Sequence, residues 1–563
     1  MHLPVSQELH HMQGEVNVND DHSPSTCAHG VPKCLLISEI MEKILGHAHD
    51  FEEGLPTLAA MAASCKTFCD PAMDVLWREV ADVVPIMQCL PADAWQVTAT
   101  PRAPLLNDRY LDKMLSLTAG RTLSAKEWER ADINALRVKR ISFQVIYRLS
   151  PRIRWTVSPT VFEAIRRHIG SSDQSCLFPN AKKLEVSYAP QENNGVVWTD
   201  VPYLVGGRLT ELSIYRSIFQ PSAVAVNDTL GTIFSRCRSL TRVLLEFEDA
   251  QLWSLESVMV FVGLLERSPQ IQFLRTNVDL NYQPEAGRMV PPEPLLLPCI
   301  ETLIFGQPSF SGASKFLTMV ASRNLDTAMM FCSDTEALER EVRLYFQCLA
   351  RFSSLTYIVV TTSLSPPHDD LSVYRDIPPT LIVTSQTISP LFCLRGLTHI
   401  ELQITRIVDL TDDFISRLAQ AWPSLRRLDF TSAIPHVIQP LLTFKGLLAL
   451  SEYSTNLRNL TINFHPTLPS KMAVQRAKEL RRRHGVEAHP LREISCYFTS
   501  PPSDDDPEAL ADFITDLFPN LEGFAPVSQM GPPSETLDVA EAGWERLQQA
   551  VYMRIPKDTS DSD

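Results

Sequence analysis

Glycine is scarce in this sequence, 20 residues in 563. Loops that cradle phosphates use glycine to bring backbone amides close to the ligand. No G-x-x-x-x-G-K-[ST] loop, G-x-S-x-G elbow or H-E-x-x-H helix occurs. The expectation is a protein that is not an enzyme and that carries no cofactor and no metal. Long apolar runs are lacking as well. The longest clean one covers 258–265 and includes Gly263, well short of the roughly 20 residues a membrane helix needs. The first residues contain no apolar segment of the kind a secretory signal requires. Twelve cysteines are scattered from Cys27 to Cys496 without the compact spacing of a disulfide framework, so they read as free, mostly buried thiols of a reducing compartment. Cys27, His29, Cys34, His47, His49, Cys65 and Cys69 lie close in sequence but form no C-x-x-C pair. Positive charge is in deficit, with 51 Lys and Arg against 66 Asp and Glu and a net charge of −15. A general nucleic-acid binder needs the opposite balance. The expected setting is cytoplasmic or nuclear, with neither a membrane nor a nucleic acid as partner. A basic helical end over 476–485 suits a helix C-terminus.

Apolar residues make up 44% of the chain, enough to build a large core. Residues 1–32 are polar and without periodicity, and read as a disordered tail. The segment 33–84 differs. Leu36, Ile40 and Ile44 fall at i, i+4, i+8 and predict one apolar helix face. Leu58, Met61, Ala62, Cys65 and Phe68 continue the pattern, then Met73, Leu76 and Trp77. Pro56 suits a helix entry, and Asp70-Pro71 predicts a break before a last helix. Three short helices are expected. Residues 85–175 read as a helical connector, with Ser124 and Glu127 in capping-box spacing ahead of Trp128, Ile133, Leu136 and Val138.

The order Leu36-x-x-Glu39-Ile40, Ile44, Cys65-Lys66-x-Phe68 and Leu76-Trp77 resembles the F-box. The sequence departs from the family's pattern at Ile37, where the family has proline. Trp128-x-Arg130 followed by Arg137-Val138-x-x-Ile141 is similar to the segment after the F-box in many fungal F-box proteins. The resemblance implies that part of the apolar set, drawn from Leu36, Glu39, Ile40, Ile44, Leu58, Cys65, Phe68, Leu76 and Trp77, docks on the Skp-type adaptor of a cullin–RING ubiquitin ligase.

From about residue 178 a helical stretch, a turn and an L-x-x-L-x-L segment recur. Clear copies are Leu209-Leu212-Ile214, Leu240-Val243-Leu245, Ile300-Leu303-Phe305, Leu355-Ile358-Val360, Leu397-Ile400-Leu402, Leu425-Leu428-Phe430, Leu457-Leu460-Ile462 and Leu491-Ile494-Cys496. Weaker ones begin at Ala181, Ile271, Leu325 and Leu521. A period of about 30 residues with one strand per unit predicts a leucine-rich-repeat solenoid over 176–530. The fold class is thus α/β: a helical F-box-like unit, then parallel strands on a concave side and helices on a convex side. A C-terminal helix and acidic tail fill 531–563. Each inward aliphatic side chain contributes roughly 1.5–3 kcal/mol when fully buried, but only stacked neighbours hide a repeat's apolar face. Phe414, Leu418 and Trp422 mark one convex helix, and Asp506-Pro507 opens another after the acidic run Asp504, Asp505, Asp506. The interval from Leu355 to Leu397 is longer than its neighbours and holds a Pro-rich, charged insertion over 365–379, expected to be an exposed loop.

Strand residues between the inward ones should face the concave side. They include Glu211, Ser213, Tyr215, Arg242, Leu244 and Glu246, then Tyr357, Val359, Thr361, His399, Glu401 and Gln403, then Arg427, Asp429, Thr431, Asn459, Thr461 and Asn463. Aromatic, polar and mixed charged side chains suit a protein ligand, and the partner-binding candidates are Tyr215, Arg242, Tyr357, His399, Glu401, Arg427, Asp429, Asn459 and Asn463. The expected function is that of a substrate receptor holding an unknown target protein. The alternative is a repeat scaffold with no ubiquitin role, its F-box-like helices serving as an N-terminal cap.

Overall fold

The computed structural model describes residues 38–49, 54–100, 111–143, 153–172, 175–187, 198–215, 223–246, 255–277, 295–332, 338–362, 382–404, 406–407, 410–432, 442–462, 470–484, 489–497, 507–527 and 535–555. The expectations placed on the tail 1–32, Leu36, the insertion 365–379, Asn463, the Asp504–506 run and the acidic end lie outside these residues. Contacts divide the chain into two units, Met1–Ser268 and Pro269–Asp563.

The first unit opens with three helices, α1 (Ser38–His49), α2 (Gly54–Ser64) and α3 (Lys66–Leu76). They close on Met41, Leu45, Leu58, Ala72 and Val75. α1 carries two adjacent apolar stripes, 40/44 and 41/45, and α2 and α3 cover only the second. Ile40 and Ile44 therefore stay 38% and 41% exposed, although the i, i+4 pattern singled them out. α3 also runs through Pro71 instead of breaking before it. Proline cannot donate to the carbonyl one turn back, but the flanking turns hold the helix against its neighbours.

The strands of this unit are β1 (Glu79–Val80), β2 (Trp95–Thr100), β3 (Leu111–Leu117), β4 (Arg140–Phe143), β5 (Ile153–Val157), β6 (Lys183–Ser187), β7 (Glu211–Tyr215) and β8 (Arg242–Glu246). A parallel ladder runs β1-β4-β6-β7-β8, and β2, β3 and β5 form a separate three-stranded sheet. Residues 85–175 are thus not a purely helical connector. The reason is legible in hindsight: Val138, Ile141 and Phe143 repeat the inward spacing of the later coils and are buried, so the ladder begins before residue 176. Two helices lie there, over Ala125–Ala135, behind the Ser124–Glu127 spacing, and over Pro159–Ser171, which the sequence had not singled out. The capping box is present, the Glu127 carboxylate accepting from the Ser124 amide at 2.7 Å. Trp128 stacks on His168 at 4.2 Å, and His168 Nε2 lies 2.9 Å from the Asp132 carboxylate, which ties the two helices together.

Between β1 and the short helix Val84–Met87, the Asp82 carboxylate accepts from the Val84 amide at 2.7 Å. Burial pushes its pKa from 3.8 up to about 6. The folded state therefore holds this proton more tightly than the unfolded chain does, and the stability it confers is lost as pH rises through about 4 to 6. Asp82→Asn keeps the acceptor and removes the charge. It is expected to raise Tm by roughly 2 °C at pH 7.5 and to leave it unchanged near pH 4, read by differential scanning fluorimetry. A variant equal to wild type at pH 7.5 would refute the burial effect.

The second unit contains β9 (Phe273–Thr276), β10 (Leu295–Leu296), β11 (Thr302–Gly306), β12 (Val320–Ala321), β13 (Thr327–Cys332), β14 (Tyr357–Thr362), β15 (Ile382–Val383), β16 (His399–Ile404), β17 (Arg406–Ile407), β18 (Arg427–Ser432), β19 (Asn459–Ile462), β20 (Glu493–Tyr497) and β21 (Gly523–Val527). Its main sheet is parallel throughout, in the order β9-β11-β13-β14-β16-β18-β19-β20-β21. A helix follows most strands, and successive helices pack side by side. Register is the same from coil to coil: Ile358, Ile400, Leu428, Leu460 and Ile494 align, as do Val360, Leu402, Phe430 and Ile462. All are buried, along with the first apolar position of every copy from Ala181 to Leu521. One inward set per strand, stacked on the next, is the core of a leucine-rich-repeat solenoid of class α/β. The expected C-terminal helix is Glu535–Tyr552. It buries Trp544, Leu547 and Val551 and donates from Gln548 to the Phe524 carbonyl at 2.8 Å, closing the last coil. Among the described residues no helix is long and apolar enough to cross a membrane.

Candidate protein-binding surfaces

Two surfaces carry the residues that the sequence singled out, one in each unit. In the first unit, Leu58 is core and Trp77 is nearly so at 8% exposed. Phe68 and Leu76 are half-buried against that core, Cys65 is half-buried, and Glu39 is exposed. The set is therefore not one face: it divides into interior residues and an outward pair, Ile40 and Ile44. Leu55 at the start of α2 is also exposed, at 37%. A cavity of about 610 Å³ opens along α1, with Glu42, Lys43, His47, Arg78 and Glu79 among its lining residues. Arg78 donates to Glu42 across it at 2.8 Å. The unit is anchored to the ladder by Arg137, which donates to the Asp70 carboxylate at 2.7 Å and to Asp74, and by Trp77 and Val80, buried where α3 passes into β1.

In the second unit, parallel pairing puts Tyr357, His399, Arg427, Asn459 and Glu493 in one row and Val359, Glu401, Asp429, Thr461 and Ser495 in the next. Tyr357 and His399 rings meet at 5.1 Å. The Arg427 guanidinium lies 3.7 Å from the Glu401 carboxylate and 3.5 Å from that of Asp429. Gln403 donates to Glu401 at 2.7 Å, and the Thr431 hydroxyl donates to Asp429. Asn459 donates to Glu493. The carboxylates are recessed, with Asp429 6% and Glu401 20% exposed at the side chain, while Arg427 stands 46% exposed above them. Burial, and then the adjacent Asp429 charge, push the Glu401 carboxyl above its ordinary range. Burial, and then the charges of Arg426 and Arg427, hold the His399 imidazolium below its own. No nucleophile–base pair emerges from this arrangement. It is a set of mutually oriented side chains suited to contact a ligand.

Six of the nine residues proposed for partner binding come together here: Tyr357, His399, Glu401, Arg427, Asp429 and Asn459. Tyr215 and Arg242 belong to the first unit, on neighbouring strands but in different rows, Tyr215 opposite Glu246 and Arg242 opposite Glu211. In that unit the first row, Glu79, Arg140, Lys183, Glu211 and Arg242, is a line of mixed charge in which Arg140 and Lys183 stand side by side. Arg140 reaches Glu185 at 3.0 Å, and Lys183 reaches Glu185 at 3.6 Å. Middle positions are closed off by their neighbours, with Ser213, Leu244 and Val359 all buried. Glu493 was missed, as were Arg426, Arg458 and Arg492. The signal was present: each arginine directly follows the first leucine of its repeat, in the copies at Leu425, Leu457 and Leu491.

No protein-family model matches the chain, and no curated protein matches it. Among solved structures it is similar to the leucine-rich repeat-containing protein LegL7 from Legionella pneumophila, with 12% identity over 66% of this chain and 99% of that one and a TM-score of 0.30. It is also similar to a chain of the Rad7 and Elc1 complex in yeast, with 12% identity over 64% of this chain and 77% of that one and a TM-score of 0.31. The repeat assignment rests on the coils themselves.

Proposed function

We propose that the chain is a substrate-receptor adaptor of an SCF-type ubiquitin ligase, its three N-terminal helices binding the Skp-type adaptor and its repeats binding a target protein. The observation that carries this reading is the outward pair Ile40 and Ile44. A helical unit of about 50 residues is marginal alone, and this one leaves two isoleucines about two-fifths exposed on the first helix of the F-box-like motif. A partner that covers them would gain roughly 25 cal/mol per Å² of apolar surface removed from water. The repeats then hold the target, and the adaptor raises its effective concentration beside the transferase. The protein makes and breaks no bonds itself.

Ile40→Asp/Ile44→Asp tests this. Both side chains point away from the core, so the double variant is expected to keep the wild-type circular dichroism spectrum and a Tm within about 2 °C. In co-purification with the Skp-type adaptor, wild type should be retained and the variant lost by at least about a hundredfold in affinity, since two buried isoleucines become two buried charges. Absence of binding by folded wild type would remove the ligase reading. A second reading then stands, favoured by the direct passage of α3 into β1 and by the Arg137 clamp: the helices cap the first coil of a scaffold, as terminal units of repeat proteins do.

A further inference from the structure

The first residue after the leading leucine of each coil forms a second row, beside the one already described. Backbone bonds stack its members: Asp326 donates to the Glu301 carbonyl, Thr356 to Asp326, Thr398 to Thr356, Arg426 to Thr398, Arg458 to Arg426, Arg492 to Arg458 and Glu522 to Arg492, all at 2.7–2.9 Å. Read along the sheet, this row is acidic over two coils, neutral over two, basic over three and acidic again. Adjacent strands stand about 4.8 Å apart, so Arg426, Arg458 and Arg492 form one contiguous cationic strip.

All three arginines are exposed. Among the described residues, Arg426 and Arg458 have no carboxylate partner, whereas Arg492 lies 3.3 Å from Glu522 at the end of the strip. Two unneutralised guanidinium groups side by side repel each other, so the strip gains from an anionic ligand what a salt-bridged surface could not. Arg427 stands opposite His399 in the ladder and the Arg426 amide donates to the Thr398 carbonyl, so the strip runs one residue from the row that holds the Tyr357–His399 ring pair. Arg427 adds a fourth guanidinium, standing above its recessed carboxylates.

We propose that this strip docks an acidic peptide segment of a partner protein, its Asp or Glu carboxylates on Arg426, Arg458 and Arg492 and its backbone or apolar side chains against Tyr357 and His399. The inference rests on the reading that the repeats hold a protein, and it names the chemistry of the bound segment. In an extended peptide alternate side chains are about 6.8 Å apart, so two or three carboxylates span the strip. A nucleic acid is the poorer fit. The strip is only three coils wide, meets Glu522 directly on one side and, beyond Thr398 and Thr356, Asp326 and Glu301 on the other, and sits on a chain of net charge −15. A longer polyanion would meet those acids.

The test uses the full chain and a fluorescein-labelled 12-residue peptide in which Glu alternates with Ser, read by fluorescence anisotropy in low salt. Peptides with Gln or Lys for Glu, and a 12-nucleotide oligothymidine, serve as comparisons. Wild type should bind the Glu peptide at least about tenfold more tightly than the Gln peptide. R426E/R458E should lose about tenfold for the Glu peptide and come to prefer the Lys peptide. Should the reversal variant not fold, R426Q/R458Q replaces it, with loss of the Glu preference as the expected result. Equal affinity for the Glu and Gln peptides, a Glu preference unchanged by the arginine substitutions, or tighter binding of oligothymidine would each overturn the proposal. The outcome is separable from that of the ligase reading, because adaptor capture depends on Ile40 and Ile44 and should be the same in R426E/R458E as in wild type.

Discussion

Trp422→Ala is expected to cost about 3–5 kcal/mol, the range for removing a large aromatic side chain from a core. Trp422 has no exposed surface, joins two coils by two contacts and closes its own helix by a third. Its indole N–H donates to the Leu391 carbonyl at 3.1 Å. Its ring meets Phe392 edge-on at 5.6 Å. Its own amide closes the helix Asp412–Ala421 on the Leu418 carbonyl at 3.0 Å. Alanine keeps only the last, leaving a cavity and a Leu391 carbonyl with only the Leu394 amide as donor. Because repeat stability is a sum of units and nearest-neighbour interfaces, the damage should be local. Hydrogen exchange should accelerate first over 385–404 and 412–432, ahead of the rest of the second unit. A urea midpoint lowered by less than the equivalent of about 1 kcal/mol would mean that the site collapses around the gap.

Asp412→Ala should cost about 2 kcal/mol, from a carboxylate that serves a helix other than its own. Its Oδ1 accepts from the Thr443 amide at 2.8 Å and the Gly446 amide at 3.0 Å, and Oδ2 accepts from the Thr443 hydroxyl at 2.7 Å. It thereby satisfies the Thr443 amide at the start of the next coil's helix, Phe444–Tyr453, an orphan donor of the helix end, and shares the Gly446 amide with the Thr443 carbonyl. The approach is close: a Cβ on Gly446 would lie 2.2 Å from Leu442 Cδ1 and 3.0 Å from Asp412 Oδ1, so any side chain there would require Leu442 to shift. Asp412→Asn retains an acceptor and should recover at least half of the loss in chemical denaturation. An Ala variant as stable as wild type would show that water replaces the carboxylate without cost.

Both predictions concern contacts between coils, and such contacts separate what could be read from the sequence from what could not. The inward positions were legible because a strand's side-chain period of two and the repeat period leave little choice: Leu425, Leu428 and Phe430 either face a common core or face water. The N-terminal helices offered a choice, since α1 has isoleucines at 40 and 44 and Met41 and Leu45 one position on. Periodicity alone cannot rank two neighbouring stripes, and only the packing of α2 and α3 decides which is covered. The coil at Val138 was passed over because the inserted sheet of β2, β3 and β5 stretches its interval beyond the repeat period.

The sequence by itself determined that this is a repeat protein of class α/β. Local patterns suffice for that, since each coil restates the same burial rule. Tertiary structure alone decided which side chains share a surface. Tyr357, His399, Arg427 and Asn459 are separated by 28 to 42 residues from one to the next, yet they stand in one row because each parallel pairing holds the same register. Likewise, the arginines that follow Leu425, Leu457 and Leu491 are three unrelated cations along the chain. They become one strip only when the backbone stacks their coils.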